Sequence, residues 1–204
     1  MIRSIFIAAV VSISLFSCAT QAQLDSQNAQ LAPQQALLNP VYVTNRAKVY
    51  PLSPDAIESE VEGYQMFSGH FSLKKREMDF SSPLYLQADK EGVLIMLLTD
   101  FGVEAGTIAY DGEKTIVESN FFPGKMKGEY IILDLQNAYY SADALEAHYK
   151  KAGLFFCENA TGETKVRTIS DKNKIIEQIT ISPDFIQIKN LLRNYEYRLT
   201  MVEN

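Results

Sequence analysis

Apolar and polar side chains alternate along most of this chain after residue 66. The alternation is clear in residues 67–74 and 84–89, and residues 93–98 form a fully apolar run of strand length. Successive side chains of a β-strand point to opposite faces of its sheet, so this period of two predicts strands with one buried face. The Asp111-Gly112 pair, which is typical of a tight hairpin turn, lies between two such strands. We therefore expect an antiparallel meander.

One stretch breaks this pattern. In residues 128–153 the apolar positions recur at helical spacing, with Ser141 placed as the N-cap of a second helix and a glycine at the end. A shorter helix is expected in residues 53–63, which begin with Ser-Pro-Asp and end in Gly. Strands then resume over residues 154–202.

This order of elements predicts a mainly β fold with helices (α+β). The expected architecture is a curved antiparallel sheet, or incomplete β-barrel, covered by a helical lid. Such a sheet can enclose an apolar cavity, or the same side chains can fill a solid core, and the sequence leaves both readings open. The candidate cavity-lining residues are Phe71, Leu73, Leu86, Ile95, Leu97, Ile108, Leu135 and Tyr139.

The N-terminus has the form of a secretory signal. Arg3 supplies one positive charge, and the apolar run that follows is too short to cross a bilayer as a helix. The run ends in Leu-Phe-Ser-Cys, which resembles a bacterial lipobox, so Cys18 is the expected site of lipidation. The alternative is an ordinary signal peptide cut after Ala22. Because residue 19 is Ala rather than Asp, the outer membrane is the expected location, with the domain facing the periplasm.

A stretch rich in Gln, Asn and Ala follows Cys18 and offers little to bury, so it is expected to act as a tether. The predicted organisation is a lipoprotein signal peptide over residues 1–17, a lipidated N-terminus with a flexible tether over 18–45, and one folded domain over 46–204.

The sequence contains no convincing catalytic or metal-binding pattern. The two histidines, His70 and His148, stand apart and lack the spacing of metal ligands. No second carboxylate is placed to tune Asp134, so a solvated or capping role is expected. Cys157 ends an apolar run and is expected to be a buried structural thiol. We therefore expect a protein that is not an enzyme and has no metal site and no cofactor.

Charge excludes one further class. The formal net charge is −6, and the densest basic run is only Lys74-Lys75-Arg76. Nucleic-acid surfaces need clustered basic side chains, so no nucleic-acid partner is expected.

Several stretches resemble known lipoproteins. VLIMLLTDFGVEAGTIAYDGEKTIVES resembles a signature of the LolB family of outer-membrane lipoprotein receptors, and EYIILDLQNAYYSADALEAHY lies where that family has its helices. KVYPLSP, ILDLQNAYY and NYEYRLTMV are similar to a group of LolB-like lipoproteins that are often encoded beside aryl-polyene biosynthesis genes. The resemblance covers residues 47–202 and implies a LolA/LolB-like half-barrel.

The same resemblance implies a role for Phe101. In the LolB family a leucine protrudes from a turn at the barrel mouth and helps to move acylated lipoproteins into the membrane. Phe101 occupies the matching position, although Asp100 replaces the proline of the family pattern. Phe101 is therefore the candidate membrane or cargo contact; the alternative is that its ring folds back onto the core.

Together these features predict an outer-membrane-anchored lipoprotein that binds or transfers a lipid, acylated or polyene amphiphile through a hydrophobic cavity. The expected partners are that ligand, the inner leaflet of the outer membrane through the lipid anchor and, by the resemblance, a periplasmic LolA-like carrier. The alternative is a non-catalytic envelope assembly or scaffold lipoprotein with a filled core.

Overall fold

The computed structural model describes residues 36–73, 76–119 and 127–202. The predicted signal peptide, Cys18 and the tether up to residue 35 lie outside these ranges. A 3-10 turn covers Pro54–Ala56. The strands and α-helices are β1 (Ala36–Leu37), β2 (Val41–Tyr42), β3 (Lys48–Val49), β4 (Val61–Leu73), β5 (Arg76–Ala88), β6 (Val93–Leu98), β7 (Glu104–Tyr110), β8 (Lys114–Ser119), α1 (Gly128–Tyr139), α2 (Ala142–Lys151), β9 (Phe155–Thr161), β10 (Thr164–Asp171), β11 (Lys174–Ile181), β12 (Phe185–Asn190) and β13 (Tyr195–Met201).

Eleven of the strands form one antiparallel sheet in the order β1-β8-β7-β6-β5-β4-β13-β12-β11-β10-β9. Within the described residues the two edge strands, β1 and β9, do not pair with each other, so the sheet is not closed into a barrel. The end of β4 and the start of β5 lie at one end of this sheet, which we call the upper end. The β6–β7, β10–β11 and β12–β13 turns lie at the same end. The predicted fold class, a mainly β protein with helices built on a curved antiparallel sheet that forms an incomplete barrel, is confirmed.

Helix α1 lies inside the curve of the sheet. It contacts β7 and β8 near one edge and β11 near the other, so the sheet must bend around it. Ten of its twelve residues are buried. The helix is therefore an interior element, more deeply placed than a lid over an open cavity.

Local sequence signals fix the ends of α2 and the β7–β8 turn. The Ser141 hydroxyl accepts a hydrogen bond from the Ala144 N–H at 3.3 Å, as the N-cap prediction requires. Gly153, just beyond α2, has a φ of +76°, and Gly112 in the β7–β8 turn has a φ of +95°. Both values lie in the region that glycine adopts without steric cost. The predicted helix end and hairpin turn are confirmed.

The predicted helix over residues 53–63 is wrong. Only the 3-10 turn forms there, and the chain then extends into β4 from Val61. Tertiary contacts explain the difference, because the N–H groups of Glu58 and Ser59 both donate to the Tyr139 carbonyl at the end of α1, at 2.9 and 3.1 Å. Pairing with α1 overrides the local helix signal.

The folded unit begins earlier than the predicted boundary at residue 46. Residues 36–45 lie in the same compact unit as the rest of the described chain. Val41 and Val43 are buried in its core, and β1 pairs with β8. Residues 36–45 therefore belong to the fold rather than to a tether.

Arg167, a buried residue of β10, holds the end of α1 in place. Its Nη1 donates to three main-chain carbonyls, those of Asn137, Ala138 and Tyr140, at 2.8–3.0 Å. Its Nε donates to Glu158 on β9 at 2.6 Å, and its Nη2 to Glu58 at 3.1 Å. Carbonyls at a helix C-terminus lack partners within the helix, so a guanidinium that supplies several donors there is strongly favourable.

We expect Arg167→Met to lower the free energy of unfolding by about 3–5 kcal/mol, because it leaves buried carbonyls and a carboxylate unpaired. Chemical denaturation followed by circular dichroism measures this change. Arg198→Met is the matched control, since Arg198 is exposed and stacks on the Phe185 ring. Equal losses of stability in the two variants would contradict the role given to Arg167.

Candidate functional site

Most of the predicted cavity-lining residues lie in the hydrophobic core. Six of them are buried in one packed cluster that includes both sheet and α1 side chains: Leu86, Ile95, Leu97, Ile108, Leu135 and Tyr139. Phe71 lies partly exposed on β4, and Leu73 is the last residue of that strand.

A groove of about 250 Å³ lies elsewhere, at the opposite end of the sheet from the upper end. It is bounded by the β5–β6 and β7–β8 turns, with Asp89, Glu91, Asp111 and Lys114 among its lining residues. None of the predicted cavity-lining residues contributes to this groove.

Five aromatic rings extend the inner surface of the sheet towards the upper end. This aromatic face consists of Phe67 and Phe71 on β4, Phe80 on β5, and Tyr195 and Tyr197 on β13. The Phe67 ring is central, with its centroid 5.2 Å from that of Tyr197, 5.7 Å from Phe80 and 6.3 Å from Phe71. The Phe71 and Tyr195 centroids are 6.1 Å apart, so the rings form one connected layer. Apart from the buried Tyr197, each member is partly exposed.

Gly69 allows this layer to close over β4. A Cβ at this position would lie 2.7 Å from the Phe71 ring and 3.0 Å from the Phe67 ring. The two phenyl groups therefore occupy the space where a side chain at position 69 would stand. A glycine between two phenylalanines at alternate strand positions is thus part of the architecture of the aromatic face.

The two tyrosines turn their hydroxyl groups away from the exposed side of the face. Both hydroxyls donate to Oδ2 of Asp134 on α1, Tyr195 at 2.7 Å and Tyr197 at 3.2 Å. Their polar atoms are therefore satisfied in the interior. The accessible part of the aromatic face is hydrocarbon.

Asp134 is buried, which corrects the expectation of a solvated or capping carboxylate. Burial raises the pKa of Asp134 well above its ordinary value of 3.8, and the neighbouring charge of Glu177 raises it further. Burial also raises the pKa of Glu177. The second carboxylate that the sequence did not reveal comes from β11, 43 positions later in the chain.

A hydrogen-bonded network surrounds Glu177. Its two carboxylate oxygens each accept an amide hydrogen bond at 2.9 Å, from Asn137 on α1 and from Asn190 on β12. The Asn137 amide oxygen in turn accepts from the Tyr149 hydroxyl on α2 at 2.8 Å. The network joins both helices to the sheet directly behind the aromatic face, so it fixes where α1 places Asp134.

Phe101 stands on a short, hydrogen-bonded turn between β6 and β7. Thr99 closes the turn, since its N–H donates to the Val103 carbonyl at 2.8 Å and its carbonyl accepts from the Gly102 N–H at 2.8 Å. Gly102 has a φ of +74°. The Phe101 side chain is 94% exposed, so it projects from the turn rather than folding back onto the core.

The remaining candidates stay apart from the aromatic face. His70 lies on the opposite face of β4, where it pairs with Asp79 at 2.8 Å. Cys157 is exposed, contrary to the expected buried thiol, because it lies on the edge strand β9. Across residues 36–73, 76–119 and 127–202, no group of three His, Cys, Asp or Glu residues is placed to hold a metal ion. Neither helix in the described part of the chain has the length and apolar character needed to cross a membrane.

Sequence reasoning found only one member of the aromatic face, Phe71. The others were present as a weaker signal: Phe67 and Phe71 flank Gly69 in β4, and Tyr195 and Tyr197 share one face of β13. Nothing local to these segments indicates that β4 and β13 are neighbours. The structure shows that they pair, with Phe71 opposite Tyr195.

The family described as "Protein of unknown function (DUF3261)" matches residues 68–203, and this chain belongs to that family. A search of curated proteins finds no match. Among solved structures, the chain is similar to a LolA superfamily protein from Nitrosomonas europaea, with 8% identity and a TM-score of 0.32. That similarity covers 74% of this chain and 88% of the other. The strand order and the interior helix, rather than this likeness, define the fold described above.

The buried carboxyl pair predicts a specific dependence of stability on pH. A carboxyl group whose pKa is raised by folding stabilises the protein below its unfolded pKa, and this contribution is lost as the pH rises through the folded value. The free energy of unfolding should therefore carry a component that falls as the pH rises above about 4, the ordinary range of an aspartate. Asp134→Asn should remove much of this component, because an amide does not titrate in this pH range. The fold should persist, since the amide oxygen can still accept the hydrogen bond from Tyr195.

Urea denaturation at a series of pH values compares the two proteins. Asp89→Asn is the control with the opposite sign, since hydrogen bonds from the Gln87 amide and the Glu91 N–H lower the pKa of Asp89. Loss of the Asp89 carboxylate should cost more stability at neutral than at acid pH. Parallel curves for the unmodified protein and Asp134→Asn would contradict the raised pKa of Asp134.

Proposed function

We propose that this protein is a non-enzymatic lipoprotein of the bacterial outer membrane that holds the hydrocarbon chain of an amphiphile on its aromatic face and passes it to or from the membrane. In this proposal Cys18 carries the lipid anchor, and the domain faces the periplasm. The lipobox-like sequence before Cys18 supports the anchor.

One observation carries the binding proposal. Five rings form a connected layer on the inner surface of an open sheet, and four of them remain partly exposed. Partly exposed Phe and Tyr rings that continue the core surface are suited to bury an apolar ligand. The inner position favours binding, because α1 and the β-strands cover one side of the aromatic face and shield it from water.

The orientation of the tyrosines favours a hydrocarbon ligand over a polar one. Because Tyr195 and Tyr197 direct their hydroxyls to Asp134, a ligand on the face meets ring surfaces and edges. An acyl chain would gain by burial alone, and a conjugated or aryl-substituted chain would also stack on the rings. The resemblance to lipoproteins encoded near aryl-polyene genes supports the second kind of chain.

We expect Phe71→Ser to weaken binding of a conjugated polyene fatty acid by roughly tenfold or more, since loss of one ring contact costs about 1.5 kcal/mol or more. Fluorescence of the polyene, which rises in an apolar site, measures binding to the purified full chain. Tyr64→Ser is the matched control, because Tyr64 lies on the same strand but is exposed on the other face.

Native mass spectrometry of the gently purified protein should also find a bound amphiphile. A protein that carries no lipid and does not bind the probe would contradict the proposal and favour a scaffold that acts through its surface. Thermal melts of both serine variants separate lost binding from lost folding.

Phe101→Glu should leave the melting temperature nearly unchanged, because surface substitutions usually change stability by less than about 0.5 kcal/mol. Transfer of the bound probe to vesicles should nevertheless slow, since a carboxylate at the turn resists entry into a membrane interface. Stopped-flow loss of probe fluorescence into quencher-containing vesicles measures the rate.

Tyr64→Glu serves as the control for a new charge at an exposed aromatic position. It tests whether Phe101 has a larger effect on transfer than an exposed ring on β4 away from the upper end. A transfer rate unaffected by Phe101→Glu would contradict a membrane or cargo role for Phe101.

A further inference from the structure

A second exposed surface at the upper end combines basic and apolar side chains. We call it the basic rim and define it as residues 150–155, 171–175 and 191–194. These three segments carry five cationic side chains and one carboxylate, in a chain with a formal net charge of −6. They also present four exposed apolar side chains: Phe155, Ile175, Leu191 and Leu192.

The three segments adjoin one another. Ser170 pairs with Phe155 on one side and with Ile175 on the other, which places both apolar side chains on the same face of the sheet, about 10 Å apart. The Leu191 N–H donates to the Ile176 carbonyl at 2.8 Å, so the β12–β13 turn lies against the start of β11. The basic rim is therefore one surface.

Four lysines of this surface are not engaged in ion pairs within the described part of the chain. Lys150, Lys151, Lys172 and Lys174 are all exposed, and none forms an ion pair with a carboxylate of the described ranges. The fifth cation, Arg193, is used within the protein, since it stacks on Tyr130 and donates to the Tyr42 carbonyl.

We propose that the basic rim docks on an anionic lipid surface. Exposed Leu, Ile and Phe side chains enter the interface between headgroups and acyl chains, and the lysines around them reach lipid phosphates. The charge of the rim opposes that of the whole chain, which favours a negatively charged partner. Docking here would turn the upper end, with the aromatic face and Phe101, towards the membrane. This inference rests on the proposed function and assigns the surface that would orient the domain on the membrane.

The absence of tryptophan from the sequence permits a direct test. Leu192→Trp places an indole on the basic rim, and Met201→Trp places one at an exposed site on the same strand pair but at the other end of the sheet. Each full-length variant is reconstituted with vesicles of phosphatidylethanolamine and phosphatidylglycerol that contain brominated acyl chains. We expect loss of most indole emission in Leu192→Trp and little loss in Met201→Trp.

Charge dependence tests the anionic partner. Adding Lys172→Glu and Lys174→Glu to Leu192→Trp, raising the salt concentration, or replacing the lipids with phosphatidylcholine should each restore the emission. Equal quenching at the two positions, or quenching that is insensitive to lipid charge, would overturn the inference, as would an indole that responds only to an added protein partner. Polyene-probe binding is measured on the same variants. If the probe does not bind but the indole at position 192 is still quenched, the result would count against the proposed function and support the docking surface.

Discussion

The five hydrogen bonds of the Arg167 guanidinium make an interior helix possible in this sheet. A helix whose last carbonyls are buried needs donors from outside itself, and water cannot supply them here. Nη1 of Arg167 makes three hydrogen bonds to carbonyls at the end of α1, and its Nη2 and Nε donate to Glu58 and Glu158. One side chain on β10 thereby connects α1, β9 and the segment that precedes β4.

The position of α1 then decides which groups face the interior. Its Asn137 meets Glu177, and its Asp134 meets the hydroxyls of Tyr195 and Tyr197. Because both tyrosines are held from behind, their rings are aligned with Phe67 and Phe71 instead of turning their polar ends outward. The aromatic face is thus a consequence of polar contacts in the interior as much as of the apolar pattern of β4.

Features that depend on neighbouring residues could be predicted from the sequence, and features that depend on distant partners could not. The Ser141 cap, Gly153 and the Asp111-Gly112 turn act within a few positions, and each forms as predicted. The burial of Asp134 could not be predicted, because its partners Glu177 and Tyr195 are separated from it by 43 and 61 positions. The helix expected near Ser53 failed for the same reason, since the end of α1 captures the following N–H groups.

The aromatic face and the basic rim, both at the upper end, would depend differently on salt. This difference bears on how a bound amphiphile would move. In the proposed function a chain on the aromatic face would be held by apolar burial, which salt does not screen, whereas docking through lysines would be screened within about 10 Å at 0.1 M salt. Rising ionic strength should therefore detach the domain from an anionic surface without releasing what it carries. If cargo and membrane contacts were made by one surface, both would be lost together. Under the proposed function, separate surfaces would let the anchored domain come off the bilayer surface with its ligand still bound.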